Sequence, residues 1–158
     1  MARIREINHS ESVGKTLMLL TQTSRLVDKY MDTYFYRKTR LSFIKFMVLK
    51  ILASNNGVMA PSKIAEWTQT ERHNITALVS RLKKEDLVLT EPSDRDKRSI
   101  SVILTDEGRE MLNKAMPVAR DIIEQIMSSF TEPDSLKLSQ MLEVLRDNAH
   151  CALEDIAR

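Results

Sequence analysis

Apolar residues recur at three- and four-residue steps through most of this chain and give way to two short strand-like runs past its middle. From about Ser10 to Arg37 the positions Val13, Leu17, Leu20, Ser24, Val27, Met31 and Tyr34 follow helical spacing. No proline interrupts them, and Gly14 is the one glycine. Leu19, Leu26, Tyr30 and Phe35 widen the stripe, and a helix apolar over more than one face packs against two neighbours. A second helix is expected from Leu41 to about Ser54, with Phe43, Phe46, Met47, Leu49, Ile51 and Leu52 inward. Asn55-Asn56-Gly57 ends it, and Val58-Met59-Ala60 has room for a very short strand.

Two short amphipathic helices come next. Pro61 suits a first helical turn, where its missing N–H has no intrahelical partner. Ile64, Ala65 and Trp67 are expected inward, and Thr68-Gln69-Thr70 makes the turn, with Thr70 as N-cap of the following helix. That helix, about Glu71 to Glu85, sets Ile75, Leu78, Val79 and Leu82 on one face. Its other face carries Arg72, His73, Thr76, Ala77 and Ser80, with Asn74 and Arg81 on the flanks. Short polar groups there suit the reading of base edges, asparagine with adenine and arginine with guanine. An ordinary solvated face has the same composition, and the next fifteen to twenty residues of the chain shift the balance toward base reading. Leu87–Thr90 and Ile100–Leu104 read as paired strands, joined by the charged run from Glu91 to Arg98. A ribbon with a cationic tip fits a minor groove, and an aspartate beside an arginine can fix the direction of its guanidinium. Helix, turn, helix, strand, charged loop and strand is the order of a winged helix-turn-helix.

Thr105 is a fitting N-cap for the next helix, with Asp106 and Glu107 at the positive end of its dipole. A wide stripe runs from Met111 to Phe130, and Pro117 within it should kink the helix. Thr131–Ser135 breaks the chain. A last helix to about Ile156 is expected to turn Leu138, Met141, Leu142, Leu145, Ala149, Ala152 and Leu153 inward. The long helices at both ends carry more apolar surface than a small head can cover, and a helical dimer interface is its simplest use. Two heads on successive major grooves, roughly 34 Å apart, also call for a dimer.

Composition adds boundaries. With 158 residues, 42% hydrophobic content, and only 3 glycines and 4 prolines, the chain suits one mainly helical domain with extensions. The net charge of +2 does not announce a nucleic-acid binder, but its distribution is uneven. Residues 1–50 are net +6, residues 51–105 net +1 and residues 106–158 net −5. The last third would be repelled by a polyanion and is expected to face away from one or to lie in an interface. One cysteine, Cys151, excludes an intrachain disulfide and fits a reducing cytosol. It is expected to act as a small buried hydrophobe. The first residues hold no apolar signal core, and no run of about 18 apolar residues occurs, so neither a signal peptide nor a membrane span is expected. No glycine-rich phosphate loop or Cys/His metal cluster is present, and His9, His73 and His150 are scattered, which argues against an enzyme and against a cofactor.

The run Asp96-Lys-Arg-Ser-Ile-Ser-Val-Ile-Leu-Thr-Asp-Glu-Gly108 resembles the wing signature of the multiple-antibiotic-resistance-regulator (MarR) family of transcription factors. Upstream, Ile64-Ala-Glu and the stretch from Ile75 to Leu87 resemble that family's helix-turn-helix. The resemblance implies a mainly α fold with a small antiparallel wing. The implied division is a dimerisation helix over residues 1–40, a DNA-binding domain over 41–104 and C-terminal dimerisation helices over 105–158. Carried over by position, base contacts fall on Arg72, His73, Asn74 and Thr76, with Ser80 on the same face. The minor-groove arginine falls on Arg98, with Asp96 as its partner and Arg95 and Lys97 nearby. Ser62 and Lys63 are backbone-contact candidates. Ala77, Gln69 and Asp86 depart from the family pattern, which often has arginine, glycine and glycine there.

The expected function is therefore a homodimeric, cytoplasmic DNA-binding regulator, usually a repressor in relatives. It would act on a pseudo-palindromic operator and be released by a small, often aromatic, ligand. Tyr30, Tyr34, Phe43 and Trp67 are the candidates to line the ligand's pocket, although core packing also explains aromatics at helical spacing. Two alternatives stand beside this: a winged-helix protein-interaction module without DNA, and a redox-responsive regulator using Cys151.

Overall fold

The computed structural model describes residues 2–92 and 100–156, with side chains described from residue 11 onward. Among the described residues, six helices and three short strands follow in the order α1 (Ala2–Thr39), α2 (Phe43–Ser54), β1 (Val58–Met59), α3 (Pro61–Thr68), α4 (Arg72–Lys84), β2 (Val88–Pro92), β3 (Ile100–Leu104), α5 (Asp106–Met127) and α6 (Glu132–Ile156). The chain forms two compact units, one ending at Ile122 and one beginning at Ile123.

In the first unit, the core gathers where α2, α3, α4 and the sheet meet. Phe46, Leu49, Leu52, Ile64, Ile75 and Leu82 are fully buried there. Phe35 of α1 is also fully buried, and its ring lies 5.6 Å from that of Phe43 and 4.8 Å from that of Phe46. This aromatic cluster holds α1 to α2. The sheet is antiparallel in the order β1-β3-β2, with Val58 opposite Ile103 and Leu89 also opposite Ile103. Val88, Val102 and Leu104 turn into the core, as a half-buried ribbon requires.

Helix ends are fixed by specific groups. The Thr105 hydroxyl accepts the N–H of Gly108 at 3.0 Å and donates to the carbonyl of Asp86 at 2.7 Å, so one side chain caps α5 and ties it to the end of α4. Gly108 has no room for a side chain: a Cβ there would fall on the carbonyl oxygen of Leu87 and lie 2.7 Å from Leu104 Cδ1. The same corner explains why Asp86 adopts φ 57°. It follows the C-cap Glu85, at the position where helices often end in a left-handed residue. Gln69 closes α3 in the same way, with φ 51° and its Nε2 donating to the carbonyl of Glu66 at 2.8 Å. Both positions, where the family often has glycine, keep the glycine conformation without glycine. Asp86 makes no side-chain bond to another described residue, so Asp86→Gly should stabilise the chain by about 0.5–1 kcal/mol, relief of the left-handed strain outweighing the added freedom of the unfolded chain. A thermal melt reads this directly, and a lower melting temperature would contradict it.

The second unit starts α6 with a reciprocal cap. Asp134 accepts the Thr131 hydroxyl at 2.6 Å and the Thr131 N–H at 3.1 Å. These two bonds, the hydroxyl's first, hold the Asp134 carboxyl below the usual carboxylate range. Their contribution is present above the unfolded-state pKa and is lost as pH falls through the lowered one.

Four expectations change. Thr70 does not cap α4: its hydroxyl donates back to the carbonyl of Thr68, and Glu71 occupies the cap with backbone bonds alone. Trp67 is not inward but 63% exposed. None of the α6 positions expected inward is buried: Leu138 is half-buried and Met141, Leu142, Leu145, Ala149, Ala152 and Leu153 are exposed. Cys151, on the same helix, is exposed rather than buried. Pro117 lies inside α5, which continues on both sides of it.

Candidate nucleic-acid interface

The α4 helix is two-sided. Ile75, Leu78, Val79 and Leu82, spaced i, i+3, i+4 and i+7, are all buried and dock it on the core. Each such side chain contributes about 1.5–3 kcal/mol relative to exposure. The docking fixes the opposite face toward solvent, where Arg72, His73, Asn74, Thr76, Ala77 and Ser80 are exposed. Arg72, His73, Asn74 and Ser80 make no side-chain hydrogen bond or ion pair to another described residue, so their donors and acceptors remain available. Thr76 differs, because its hydroxyl donates to the carbonyl of Arg72 at 3.1 Å and keeps only its lone pairs for a partner. Arg81 turns its Nε back to the carbonyl of Ala77 at 3.3 Å.

Ser62 and Lys63 lie exposed in the first turn of α3, beside Pro61 at its start. Lys63 is paired with Glu66 at 2.7 Å, with both side chains mostly in solvent. Such a pair contributes at most about 1 kcal/mol, so exchange of the carboxylate for a phosphate is cheap. The wing candidates Arg95, Asp96, Lys97 and Arg98 lie outside the described residues; the strands that carry them, β2 and β3, pair in register up to Pro92 and Ile100.

One residue escapes the sequence reading. Lys83 donates from Nζ to the Thr90 hydroxyl at 3.0 Å and so links α4 to β2. Thr76, Ser80 and Lys83 form an i, i+4, i+7 row on α4 that, with Thr90 and Ile100, lines a hollow of about 190 Å³ between helix and ribbon. That spacing is the signal the sequence offers for it. Lys45 of α2 pairs with Glu85, the C-cap at the same end of α4. The basic group at the end of α1 is partly occupied: Lys38 lies 5.7 Å from the Tyr34 ring and Arg40 5.9 Å from the Tyr36 ring.

The pocket candidates divide. Phe43 and Trp67 line a cleft of about 490 Å³ together with Ile44, Met47 and Thr68, and with Asp28, Lys29 and Asp32 of α1. Tyr30 and Tyr34 are not part of its lining; their rings stack on each other at 5.7 Å.

Comparison with known proteins bears on this arrangement. A profile of the MarR family matches residues 41–99, the stretch from α2 to the wing. The transcriptional repressor IacR of Pseudomonas putida is 31% identical over 112 residues, covering 71% of this chain and 66% of that repressor. Among solved structures, a MarR family regulator from Streptomyces coelicolor in complex with DNA superposes with a TM-score of 0.80 at 22% identity, over 85% of this chain and 86% of that one. The Bordetella bronchiseptica protein BpsR, whose DNA binding is regulated by 6-hydroxynicotinic acid, gives 0.71 at 19% identity, over 80% and 92%. The helix with one docked and one open face, the antiparallel ribbon behind it and these likenesses agree, and the chain belongs to the MarR family of transcriptional regulators.

Proposed function

We propose that this regulator is a cytoplasmic homodimeric repressor that sets α4 of each copy in a major groove of a pseudo-palindromic operator. The observation that carries the reading is the open face of α4. Docking by four buried residues fixes the helix and leaves Arg72, His73 and Asn74 exposed, with no partner among the described residues, at the helix end that enters a groove in readers of this kind. Ser80 and Thr76 continue that face. Arg98, steadied by Asp96, reaches the adjacent minor groove, with Arg95 and Lys97 beside it. Ser62 and Lys63 contact the backbone. Residues 1–40 and 105–158 supply the dimerisation helices and residues 41–104 the reading head.

Support for the dimer comes from uncovered apolar surface. Val13, Leu17 and Leu26 of α1 are 53%, 59% and 68% exposed, and Leu136, Val144 and Leu153 of α6 are 60%, 60% and 63% exposed. Apolar side chains left this exposed on long helices suit an interface. Release by a small ligand results if its binding changes the spacing of the two α4 helices, because only one half-site then fits. The cleft against Phe43 and Trp67 is the site for it.

Asn74→Ala tests base reading. The variant should keep its melting temperature and overall affinity to within a few-fold, while losing about 1–3 kcal/mol of discrimination at one base pair of each half-site. Selection from random duplexes by the parent and the variant reads this out; recovery of the same motif by both removes Asn74 from the interface.

A further inference from the structure

We propose that the cleft between α1, α2 and α3 takes an aromatic ammonium ion, a small molecule with one aromatic ring and a protonated amine. This rests on the ligand-responsive reading above and gives that ligand its charge. The cleft's volume of about 490 Å³ is that of a small-molecule site. Its walls are Phe43, Ile44 and Met47 on one side and Trp67 on the other, and its polar rim belongs to α1. That rim holds two carboxylates, Asp28 and Asp32, against one ammonium, Lys29, so its net charge is negative.

Asp28 and Asp32 are four residues apart on one helix face, a spacing at which like charges repel. The amide N–H of Phe43 donates to Asp32 Oδ1 at 3.0 Å, which holds that carboxylate at the cleft. Asp28 makes no ion pair with any described residue. A cation between the two relieves their repulsion. An aromatic acid would bring a third carboxylate to a rim with one lysine.

Trp67 completes the match. Its indole is 63% exposed, an unfavourable position for the largest apolar side chain of the head unless something covers it. Indole also offers the strongest cation–π face among side chains. An occupant that covers it joins α1 to α3, the helix that precedes the reading helix. Occupancy therefore bears on how the head is held against α1.

Trp67 is the single tryptophan of the chain, so its emission reports on the cleft alone. The intact protein, without DNA, is titrated with 2-phenylethylamine and with 3-phenylpropanoate, which share a ring and differ in charge. The amine should shift Trp67 emission saturably and bind at least about tenfold more tightly than the acid, and Asp28→Asn should weaken the amine by about three- to tenfold at an unchanged melting temperature. Equal or tighter binding of the acid, or an Asp28→Asn variant that binds the amine as the parent does, overturns the assignment. So does a Trp67 already shielded from acrylamide in the free protein, since a second copy then fills the cleft. Because no DNA is present, failure here leaves the operator reading standing, and failure of operator binding leaves this titration unaffected.

Discussion

Replacing Ile75 with alanine should lower the unfolding free energy by about 2–5 kcal/mol, which for a chain of this length is roughly 5–15 °C in melting temperature. Ile75 is fully buried at the start of the α4 face that packs toward α3 and β2. Its removal leaves a cavity at the point where the reading helix is held. Ile75→Val removes one methylene and should cost only about 0.5–1.5 kcal/mol. The contrast with its neighbour is the useful part. Asn74 is one residue away and exposed, and its loss should leave the melt alone while changing which bases are preferred. Calorimetry on the three variants separates the two faces; equal melting temperatures for Ile75→Ala and the parent would mean that α4 is not docked as described.

Operator binding should fall steeply with salt. Each copy brings five candidate cations to the duplex, Arg72 on the reading helix with Lys63, Arg95, Lys97 and Arg98, so a dimer brings ten. Proteins making about six to ten phosphate contacts lose roughly 10³–10⁵ in affinity between 50 and 200 mM salt, because bound counterions are released. The same range is expected here. The net charge of +2 is no obstacle, since the acidic excess lies in residues 106–158 and the cations lie on the head. Arg98→Ala should reduce the slope of log affinity against log salt by about one for each arginine lost, while leaving the dimer intact. Fluorescence anisotropy at four salt concentrations measures both slopes. A flat dependence would leave the head with no phosphate contacts to speak of, and an unchanged slope would remove Arg98 from the groove.

The parts of the fold legible in the sequence are those in which local pattern and packing agree. The four inward residues of α4, the two strands and the Thr105 cap each satisfy a short-range rule and a long-range contact at once. Where the two separate, the pattern misleads. Thr70 has good cap chemistry, but the left-handed Gln69 ahead of it turns the chain so that its hydroxyl reaches Thr68, and Glu71 takes the cap. Trp67 sits at helical spacing from Ile64, yet α3 has only eight residues and buries only Ile64 and Ala65. The indole is left on the rim of the cleft.

The last helix shows a different limit. Its apolar row marks a surface that seeks cover, but periodicity does not say which chain supplies the cover. Within one copy, Met141, Leu145 and Leu153 remain open. The candidate site divides along the same line. Arg72, His73, Asn74, Thr76 and Ser80 of α4 and Ser62 and Lys63 of α3 lie exposed, since the buried face of each helix turns the other toward solvent. Arg95, Asp96, Lys97 and Arg98 fall outside the described residues, and Tyr30 and Tyr34 belong to α1 packing rather than to the cleft. Lys83 is hard to read from the sequence because its partner, Thr90, is reached only when β2 folds back beside α4.

The proposed function stands on two copies of the chain presenting two reading helices to one duplex. Sedimentation of the purified protein, alone and with a labelled operator recovered by footprinting, measures the number of copies in each species. A dimer is expected in the free protein at micromolar concentration, with two copies on each operator at low salt. A monomer under those conditions, or one copy bound per operator at saturation, would contradict it.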